Sequence, residues 1–318
     1  MNVNHLFILN HQAGRAGVHE KLAADLTALC QARGEQFTLC TTSSREEAEA
    51  AIHTACAGGA ETRIYACGGD GTFGGVVDIA ARYPGAAVGV IPIGTGNDFV
   101  RNFGGKAPFL DPAAQLDGHE VRLDLLRCND RFCANMVNIG FDCEVVKEAV
   151  RLRRKKVFGE KLAYISGVLL TLIRKPGVAL TAALEGEMAA EHKLLLIAIA
   201  NGSFCGGGFR AAPESLLSDG KMDICMVKDV TRTRFLTLVK AYHDGTYLDL
   251  KAAKKIITYC KGEQLSLKFP AVRSICIDGE LSETDHLDVG VLPGALRFIL
   301  PRGAVWAEEG EREAACSV

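Results

Sequence analysis

The sequence predicts an α/β N-terminal domain with a parallel sheet, followed by a second domain of mostly antiparallel β-strands. Up to about residue 122, short apolar runs alternate with helix-like segments, which is typical of a parallel sheet with helices on both faces. Beyond that point strand-like segments follow one another with few helices between them, which favours an antiparallel sandwich or small barrel. The length of 318 residues agrees with about two domains.

Composition and charge exclude several classes of function. The apolar fraction of 48% is ordinary for a globular protein, and a formal net charge of −2 implies no attraction to nucleic acid. The 12 cysteines are scattered, without a CxxC pair or a zinc-like spacing, so we interpret them as free thiols in a reducing cytoplasm. No signal peptide is recognised, and no stretch reaches the roughly 18 apolar residues of a membrane span. We therefore expect a cytoplasmic protein whose contact with a membrane is peripheral.

In the first domain each predicted strand ends in a loop of small polar residues. Leucines at helical spacing, and the capping-box spacing of Ser44 and Glu47, predict helices between the strands. Ligands bind beyond the carboxyl ends of such strands, so we expect these loops to share one ligand-binding edge. The predicted elements are strand 5–10, helix 20–32, strand 37–42, helix 45–57, strand 63–66, helix 76–80 and strand 87–92.

The loop after the third strand is rich in glycine, which lets backbone N–H groups approach an anion such as phosphate. An acid within such a loop would repel phosphate unless a metal ion or a hydroxyl intervened. Asp70 is therefore either a metal-linked residue or an acidic turn residue. The loop contains Gly68, Gly69, Asp70, Gly71 and Thr72.

The loop after the fourth strand repeats this chemistry. Gly94 and Gly96 free the backbone, and Thr95 can donate its hydroxyl to a phosphate. Asn97 and Asp98 can cap the following helix, and a plain turn is the alternative interpretation.

The second domain is predicted to be strands with few helices, ending in a polar tail. The predicted strands are 121–126, 132–138, 178–184, 193–200, 222–227, 256–259, 264–269, 274–277 and 296–300, with helices at 141–156, 161–174 and 232–242.

Acidic turns and one basic run carry the chemistry of this domain. Asp219, before a glycine, is either a tight turn or a ligand of a hard cation. Asp278 and Glu280 flank a glycine at a strand end, so they are either a turn or the source of a general base toward a hydroxyl. The basic run 151–156 either complements a helix end or attracts anionic lipid head groups.

Taken together, these motifs resemble the diacylglycerol kinase catalytic domain family, and especially its small bacterial lipid kinases. Their order and spacing match over nearly the whole chain, and the second motif points to the lipid-kinase branch. The matching segments are Gly68-Gly69-Asp70-Gly71-Thr72, Pro92-Ile93-Gly94-Thr95-Gly96-Asn97-Asp98-Phe99, Asn138-Ile139-Gly140-Phe141-Asp142, Gly206-Gly207-Gly208, Asp219-Gly220-Lys221-Met222-Asp223 and Asp278-Gly279-Glu280.

The resemblance implies a Rossmann-like first domain of the NAD kinase and phosphofructokinase type. Residues 1–122 would bind the nucleotide, 123–302 would form a β-sandwich that binds the lipid, and the tail 303–318 would return to the first domain. The implied activity is transfer of the γ-phosphoryl group of ATP, with Mg²⁺, to a free hydroxyl of diacylglycerol or a similar lipid. The implied location is the cytoplasm, at the inner face of the membrane, and a homodimer is left open.

Site residues follow from the same resemblance. The general base would be Asp278, with Glu280 as second choice, and Asp70 would belong to a metal–water network facing the phosphates. The metal site would use Asp219 with carbonyl groups of Leu216 and Lys221. The ATP site would use Asn10, Ala13, Gly14, Arg15, Thr42 or Thr41, Gly68, Gly69, Asp70, Gly71, Thr72, Phe73, Gly74, Gly75, Gly94, Thr95, Gly96 and Asn97.

Two departures from the family pattern leave alternatives open. His11 stands where family members usually have proline, and Gly74-Gly75 stand where many carry Asn-Glu. One alternative function is a soluble-metabolite kinase of the NAD kinase type. The other is a nucleotide- or lipid-binding regulator without turnover.

Overall fold

The computed structural model describes residues 3–11, 13–14, 17–154 and 177–306. The chain forms two compact units, one that ends at Leu125 and resumes at Pro293, and another spanning Leu126–Leu292. Arg15, the predicted helix 161–174 and the last two residues of the basic run lie outside the described residues. None of the helices within the described ranges is long and apolar enough to cross a membrane.

The first unit is an α/β layer whose strands lie in the order β4-β3-β1-β2. Each neighbouring pair among these four strands runs in parallel, and every residue of β4 is buried. The strands are β1 (Asn4–Asn10), β2 (Gln36–Thr42), β3 (Thr62–Gly68) and β4 (Ala86–Pro92), and the helices are α1 (Val18–Arg33), α2 (Arg45–Ala55), α3 (Asp70–Ala80) and α4 (Pro112–Leu116).

Two helix starts in this unit are explained by their caps. The predicted cap of α2 is confirmed, because the hydroxyl of Ser44 accepts the N–H of Glu47 at 3.3 Å. Helix α3 begins at Asp70 rather than at residue 76 as predicted, with Gly69 in an extended conformation before it. The two central glycines of α3 each disfavour a helix by about 1 kcal/mol, which hid this start from the sequence pattern.

The end of the described chain belongs to the first unit, which differs from the predicted boundary at residue 302. Phe298 pairs in parallel with Val88 of β4, so the last strand extends this sheet. Arg297 forms ion pairs with Glu61 and Glu120. Spacing alone predicted the strand at 296–300 but not which sheet it would join.

The second unit is rich in antiparallel strands, and this prediction is confirmed. Its strands lie in the order β11-β10-β9-β7-β12-β13, with β8 paired to β9 and β12 and β6 paired to β5. The strands are β5 (His119–Cys128), β6 (Arg131–Cys133), β7 (Met136–Gly140), β8 (Val178–Leu184), β9 (Ala190–Ala200), β10 (Met222–Lys228), β11 (Ile257–Gly262), β12 (Gln264–Ile277) and β13 (Glu280–Leu300), and the helices are α5 (Phe141–Arg154) and α6 (Arg232–Asp244). Strands β5 and β13 each begin in one unit and end in the other.

Alternate residues of these strands build two apolar cores. Ile197 and Ile199 point into one core, whose described residues all lie on strands, whereas Ala198 and Ala200 point into the other. The second core also contains Phe141 of α5 and residues of α6. The predicted strands 264–269 and 274–277 form one strand, β12, whose register shifts between Lys268 and Arg273.

Candidate functional site

The two glycine-rich loops of the first unit touch through their backbones. A Cβ atom added to Gly94 would lie 2.3 Å from the Cα of Gly69, so this approach requires glycine. The N–H of Gly94 donates to the carbonyl of Gly68 at 3.1 Å. By contrast, no described atom lies within 4 Å of a Cβ built on Gly71, in the first turn of α3. The α3 N-terminus therefore offers open backbone of the kind that binds phosphate.

Asp70 ties the two loops together. Its Oδ1 atom accepts the N–H groups of Asp98 at 2.6 Å and Phe99 at 3.4 Å. Burial raises the pKa of this carboxyl, and the same N–H groups act in the opposite direction. The sequence left two roles open for Asp70, that of a metal-linked residue and that of an acidic turn residue. These contacts agree with the turn residue. They also direct the negative charge of Asp70 toward backbone donors, which removes the expected conflict with a phosphate.

The ends of the first two strands join the same cluster of loops. Asn10 donates from Nδ2 to the hydroxyl of Thr72 at 2.9 Å, and Asn10 is the register partner of Thr42. Ala13 donates its N–H to the carbonyl of Asn10, and Gly14 has a φ of +82°. A Cβ on Gly14 would lie 2.9 Å from the carbonyl oxygen of Ile93, so this turn also needs glycine.

Three of the predicted nucleotide-binding residues are buried. Phe73 is buried and stacks 4.4 Å from Phe99 between ring centroids, in an aromatic cluster that also contains Phe298. Gly74 and Gly75 are buried inside α3. Their burial leaves no exposed side chain for a nucleotide, and their predicted contact with it stays a prediction.

Asn97 is the strained residue of the second loop. Its φ is +50°, and its Nδ2 atom donates to the carbonyl of Gly94 at 2.7 Å. Its Oδ1 atom is buried and has no hydrogen-bond partner among the described residues. A buried acceptor of this kind is available to a ligand donor.

In the second unit, Asp278 and Gly279 form the two-residue loop of a hairpin. Both have positive φ, at 47° and 87°, and the flanking residues Ile277 and Glu280 are paired. Positive φ at both central positions is the pattern of a type I′ turn, which Asp-Gly favours. The turn interpretation is confirmed, but the acid is buried rather than solvated.

The carboxylate of Asp278 holds the segment between β6 and β7. It accepts the N–H groups of Ala134 at 2.7 Å, Asn135 at 3.0 Å and Met136 at 3.0 Å, and the thiol of Cys133 lies 3.1 Å away. Burial raises the pKa of Asp278, and these bonds oppose that effect. Four donors match the roughly four lone-pair sites of a carboxylate.

Three of these donors lie at Oδ1 and one lies at Oδ2, so Asp278 fixes the shape of this segment, and its predicted role as general base stays a prediction. Glu280 is engaged as well, since it forms an ion pair with Arg131 at 2.6 Å. The turn also explains why the predicted strand 132–138 is split, because residues 134–135 bond to Asp278 instead of to a neighbouring strand.

The predicted metal residues do not fit a divalent ion. One carboxylate oxygen of Asp219 accepts the N–H of Lys221 at 3.0 Å, and the other lies 2.9 Å from the ammonium of Lys261. No cluster of three or more His, Cys, Asp or Glu residues suited to a metal occurs in the described part of the chain. An ammonium already in contact with the only predicted acidic ligand would repel Mg²⁺, which needs several free oxygen ligands.

An apolar cavity lies between the sheet and the two helices of the second unit. Its volume is about 100 Å³, and it is lined mostly by aliphatic and aromatic side chains. Those from helices and strands include Val145 of α5, Leu196 of β9, Val227 of β10 and Leu238 of α6. A lining of apolar side chains with a few polar groups is typical of small-molecule sites.

Three polar side chains line this cavity, and each has a buried atom without a hydrogen-bond partner among the described residues. These atoms are Oδ1 of Asn138, Oδ2 of Asp142 and the hydroxyl of Tyr242. Burial raises the pKa of Asp142 to about 7 and that of Tyr242 well above its usual range. Unpaired buried polar groups cost about 1–3 kcal/mol each, so a ligand with hydroxyl or carbonyl groups would be stabilised here.

Sequence patterns assigned no role to these three residues. Asn138 and Asp142 occur in a segment noted only for its family match, and Tyr242 lies in a predicted helix. An available signal was the acid at position 142 beside Phe141 and Val145, which are buried.

Two family models match this chain, one in its N-terminal part and one in its C-terminal part. A family model described as "Diacylglycerol kinase catalytic domain" matches residues 4–128. A second, described as "YegS C-terminal NAD kinase beta sandwich-like domain", matches residues 135–300. The chain therefore belongs to the YegS-like family of lipid kinases with a diacylglycerol kinase catalytic domain, and the predicted resemblance is confirmed.

Individual relatives agree with this assignment. A "Probable lipid kinase YegS-like" protein of Pseudomonas aeruginosa is 30% identical over 315 residues, covering 97% of each chain. One of the same name from Enterobacter is 28% identical over 307 residues, covering 93% of this chain and 95% of its own.

Solved structures show the same fold. A diacylglycerol kinase of Bacillus anthracis has a TM-score of 0.68 at 19% identity, over 96% of this chain and 98% of its own. An NAD kinase of Archaeoglobus fulgidus, solved in complex with ATP, has a TM-score of 0.51 at 10% identity, over 98% and 99%.

Proposed function

We propose that this chain is an ATP-dependent lipid kinase that transfers the γ-phosphoryl group to a hydroxyl of diacylglycerol or a similar lipid. The observation that carries the proposal is the apolar cavity of the second unit, with Asn138, Asp142 and Tyr242 in its wall. A soluble dinucleotide needs a site rich in polar partners, whereas this cavity offers hydrocarbon and a few hydrogen-bonding atoms.

The lipid would enter with an acyl chain against the apolar wall. Burial of each methylene group stabilises binding by about 0.8 kcal/mol. The three unpaired atoms would receive the hydroxyl or ester oxygens of the lipid. Below its pKa of about 7 the Asp142 carboxyl carries a proton and can donate to a lipid carbonyl as well as accept from a hydroxyl.

The first unit would bind ATP through its glycine-rich loops. Backbone N–H groups around Gly71 at the start of α3 would face the phosphates, with the hydroxyl groups of Thr72 and Thr95 beside them. Support comes from the contact between Gly69 and Gly94, which brings the two loops together and leaves no room for side chains between them.

Positioning and electrostatics supply most of the rate in phosphoryl transfer, because its loose transition state needs little covalent help from the protein. Mg²⁺ bound to the triphosphate would neutralise charge on the transferred group, and we assign it no protein ligand. Asp70 and Asp278 enter the proposal as residues that hold loops, through the backbone N–H groups that they accept. Because the acceptor is a lipid, we also propose a peripheral contact with the membrane.

The experiment measures transfer of radiolabelled γ-phosphate by the purified full chain to a panel of lipids in mixed micelles, with NAD as the alternative acceptor. We expect label in a lipid and none in NAD. Label in NAD alone would identify a metabolite kinase, and tight ATP binding without any transfer would identify a regulator; either result contradicts the proposal.

Two variants on α6 connect this activity to the cavity. Leu238→Phe adds volume to a residue that lines the cavity, and we expect the KM for lipid to rise roughly tenfold because overpacking costs about 1–3 kcal/mol. Leu236→Phe is the matched control, because Leu236 is exposed on the same helix. The KM for ATP should stay unchanged in both, and equal lipid KM values for the two variants would contradict the assignment of the cavity.

A further inference from the structure

Lys261 occupies the centre of a group of oxygen atoms in the second unit. Its ammonium donates to the carbonyl of Glu214 at 2.9 Å and to Oδ2 of Asp219 at 2.9 Å. It also lies 3.4 Å from Oδ2 of Asp223, its register partner on the neighbouring strand. One cation thus contacts three points of the segment 214–223, which contains the predicted metal residues.

The segment needs a positive charge at this place. Asp223 is completely buried, and its other oxygen accepts the hydroxyl of Tyr259 at 2.5 Å. A buried carboxylate is costly without a partner of opposite charge. Lys261 supplies this partner, since its ammonium forms ion pairs with both Asp219 and Asp223.

We propose that the Lys261 ammonium is the built-in cation of the segment 214–223 and holds it in place of a divalent metal ion. Both carboxylate oxygens of Asp219 are engaged, one by the Lys261 ammonium and the other by the N–H of Lys221. The ammonium donates to two of the three oxygen atoms around it and forms an ion pair with the third, Oδ2 of Asp223. The stability of this segment is then independent of Mg²⁺, whether or not the proposed lipid kinase activity is correct.

Terbium luminescence and thermal unfolding test this proposal on the full chain without nucleotide. Tb³⁺ binds at oxygen sites for hard cations, and Tyr259 lies beside Asp223 as a sensitiser. In the wild type we expect no terbium emission that depends on Asp219, and no change in Tm with Mg²⁺ or Ca²⁺. Lys261→Met should lower the Tm by roughly 3 °C or more and should gain terbium emission and a recovery of Tm with Ca²⁺.

Three variants serve as controls. Lys261→Arg keeps the charge and should lose less Tm than Lys261→Met, whereas Lys268→Met removes an exposed lysine of β12 and should leave the Tm unchanged. Asp219→Asn removes a carboxylate from the segment 214–223. Terbium emission that this variant abolishes therefore comes from this segment, and emission that remains comes from another site.

Two results would overturn the proposal. One is wild-type terbium emission, or a Tm increase with Mg²⁺, that Asp219→Asn abolishes; the other is an unchanged Tm in Lys261→Met. If Lys261→Met does not fold, the proposal is tested by comparing terbium emission, and the change in Tm with Mg²⁺, between the wild type and Asp219→Asn.

Discussion

Asp278 and Asp142 are two aspartates of the second unit with opposite surroundings. The Asp278 carboxylate accepts three backbone N–H groups and lies beside a thiol, so four donors of the chain hold it in place. The Asp142 carboxyl lies against an apolar cavity, and its buried Oδ2 atom has no hydrogen-bond partner among the described residues. The first arrangement holds a loop, whereas the second leaves an atom for a ligand.

This difference indicates that the acids beside glycine in the sequence motifs accept backbone N–H groups and hold loops. Asp70 in the first unit resembles Asp278, because it also accepts backbone N–H groups from a second segment. Each acid beside a glycine fixes the shape of a loop near a candidate site. The polar atoms of the cavity that are unpaired within the described ranges, in contrast, belong to Asn138, Asp142 and Tyr242, which lie on strands and helices. Substitutions at the three aspartates test this division.

Asp278→Ala should have the largest effect. It leaves the N–H groups of residues 134–136 without their acceptor, so we expect the free energy of unfolding to fall by about 3 kcal/mol or more at neutral pH. Urea denaturation measures this. Asp285→Ala, on the exposed part of β13, is the control and should stay within about 0.5 kcal/mol of the wild type. If Asp278 were a base without a structural role, both variants would be equally stable.

Asp70→Ala should have a smaller effect, because fewer N–H groups lose their acceptor. We expect a loss of about 2 kcal/mol in the free energy of unfolding, together with an increased KM for ATP and an unchanged KM for lipid. Asp25→Ala, at an exposed position of α1, is the control. An increase in the KM for lipid alone would show that Asp70 does not act through the nucleotide loops.

Asp142→Asn should change the pH dependence of stability. Burial raises the pKa of Asp142 from 3.8 to about 7, so between these values the folded protein holds a proton that the unfolded chain has released. The free energy of unfolding therefore falls as pH rises through this interval. We expect the wild type to lose on the order of 1–2 kcal/mol more than Asp142→Asn between pH 4.5 and 7.5.

The control for this comparison is Glu144→Gln on the same helix, which should keep the wild-type pH dependence. Urea denaturation at both pH values gives the result. Equal pH dependence of the wild type and Asp142→Asn would contradict the buried environment assigned to Asp142.

The sequence predicted much of the fold, because periodicity and capping are local signals. Strand β8 was predicted as it occurs, and the start of α2 followed from Ser44 and Glu47. The start of α3 and the sheet joined by residues 296–300 were not predicted. The N-cap of α3 is Gly69, which has no side chain to mark the start of the helix. The sheet joined by residues 296–300 depends on the pairing of Phe298 with Val88, which lies far away in the sequence.

The candidate site was predicted less completely than the fold. Glycine motifs identified the loops of the first unit, since close backbone contacts such as Gly69 with Gly94 require glycine. The cavity residue Tyr242 and the cation Lys261 have no local signal, because distant segments create their environments. Motif resemblance also assigned a chemical role to Asp278 where packing assigns it a structural one.

The central claim is that the cavity of the second unit holds a lipid, and photoaffinity labelling tests it most directly. A diacylglycerol with a diazirine in one acyl chain is irradiated with the full chain, and labelled peptides are identified by mass spectrometry. We predict labels on α5 and α6 around Val145 and Leu238, reduced by excess unlabelled lipid and by Leu238→Phe but not by Leu236→Phe. Labels confined to other parts of the chain, or labels that unlabelled lipid does not reduce, would contradict the account.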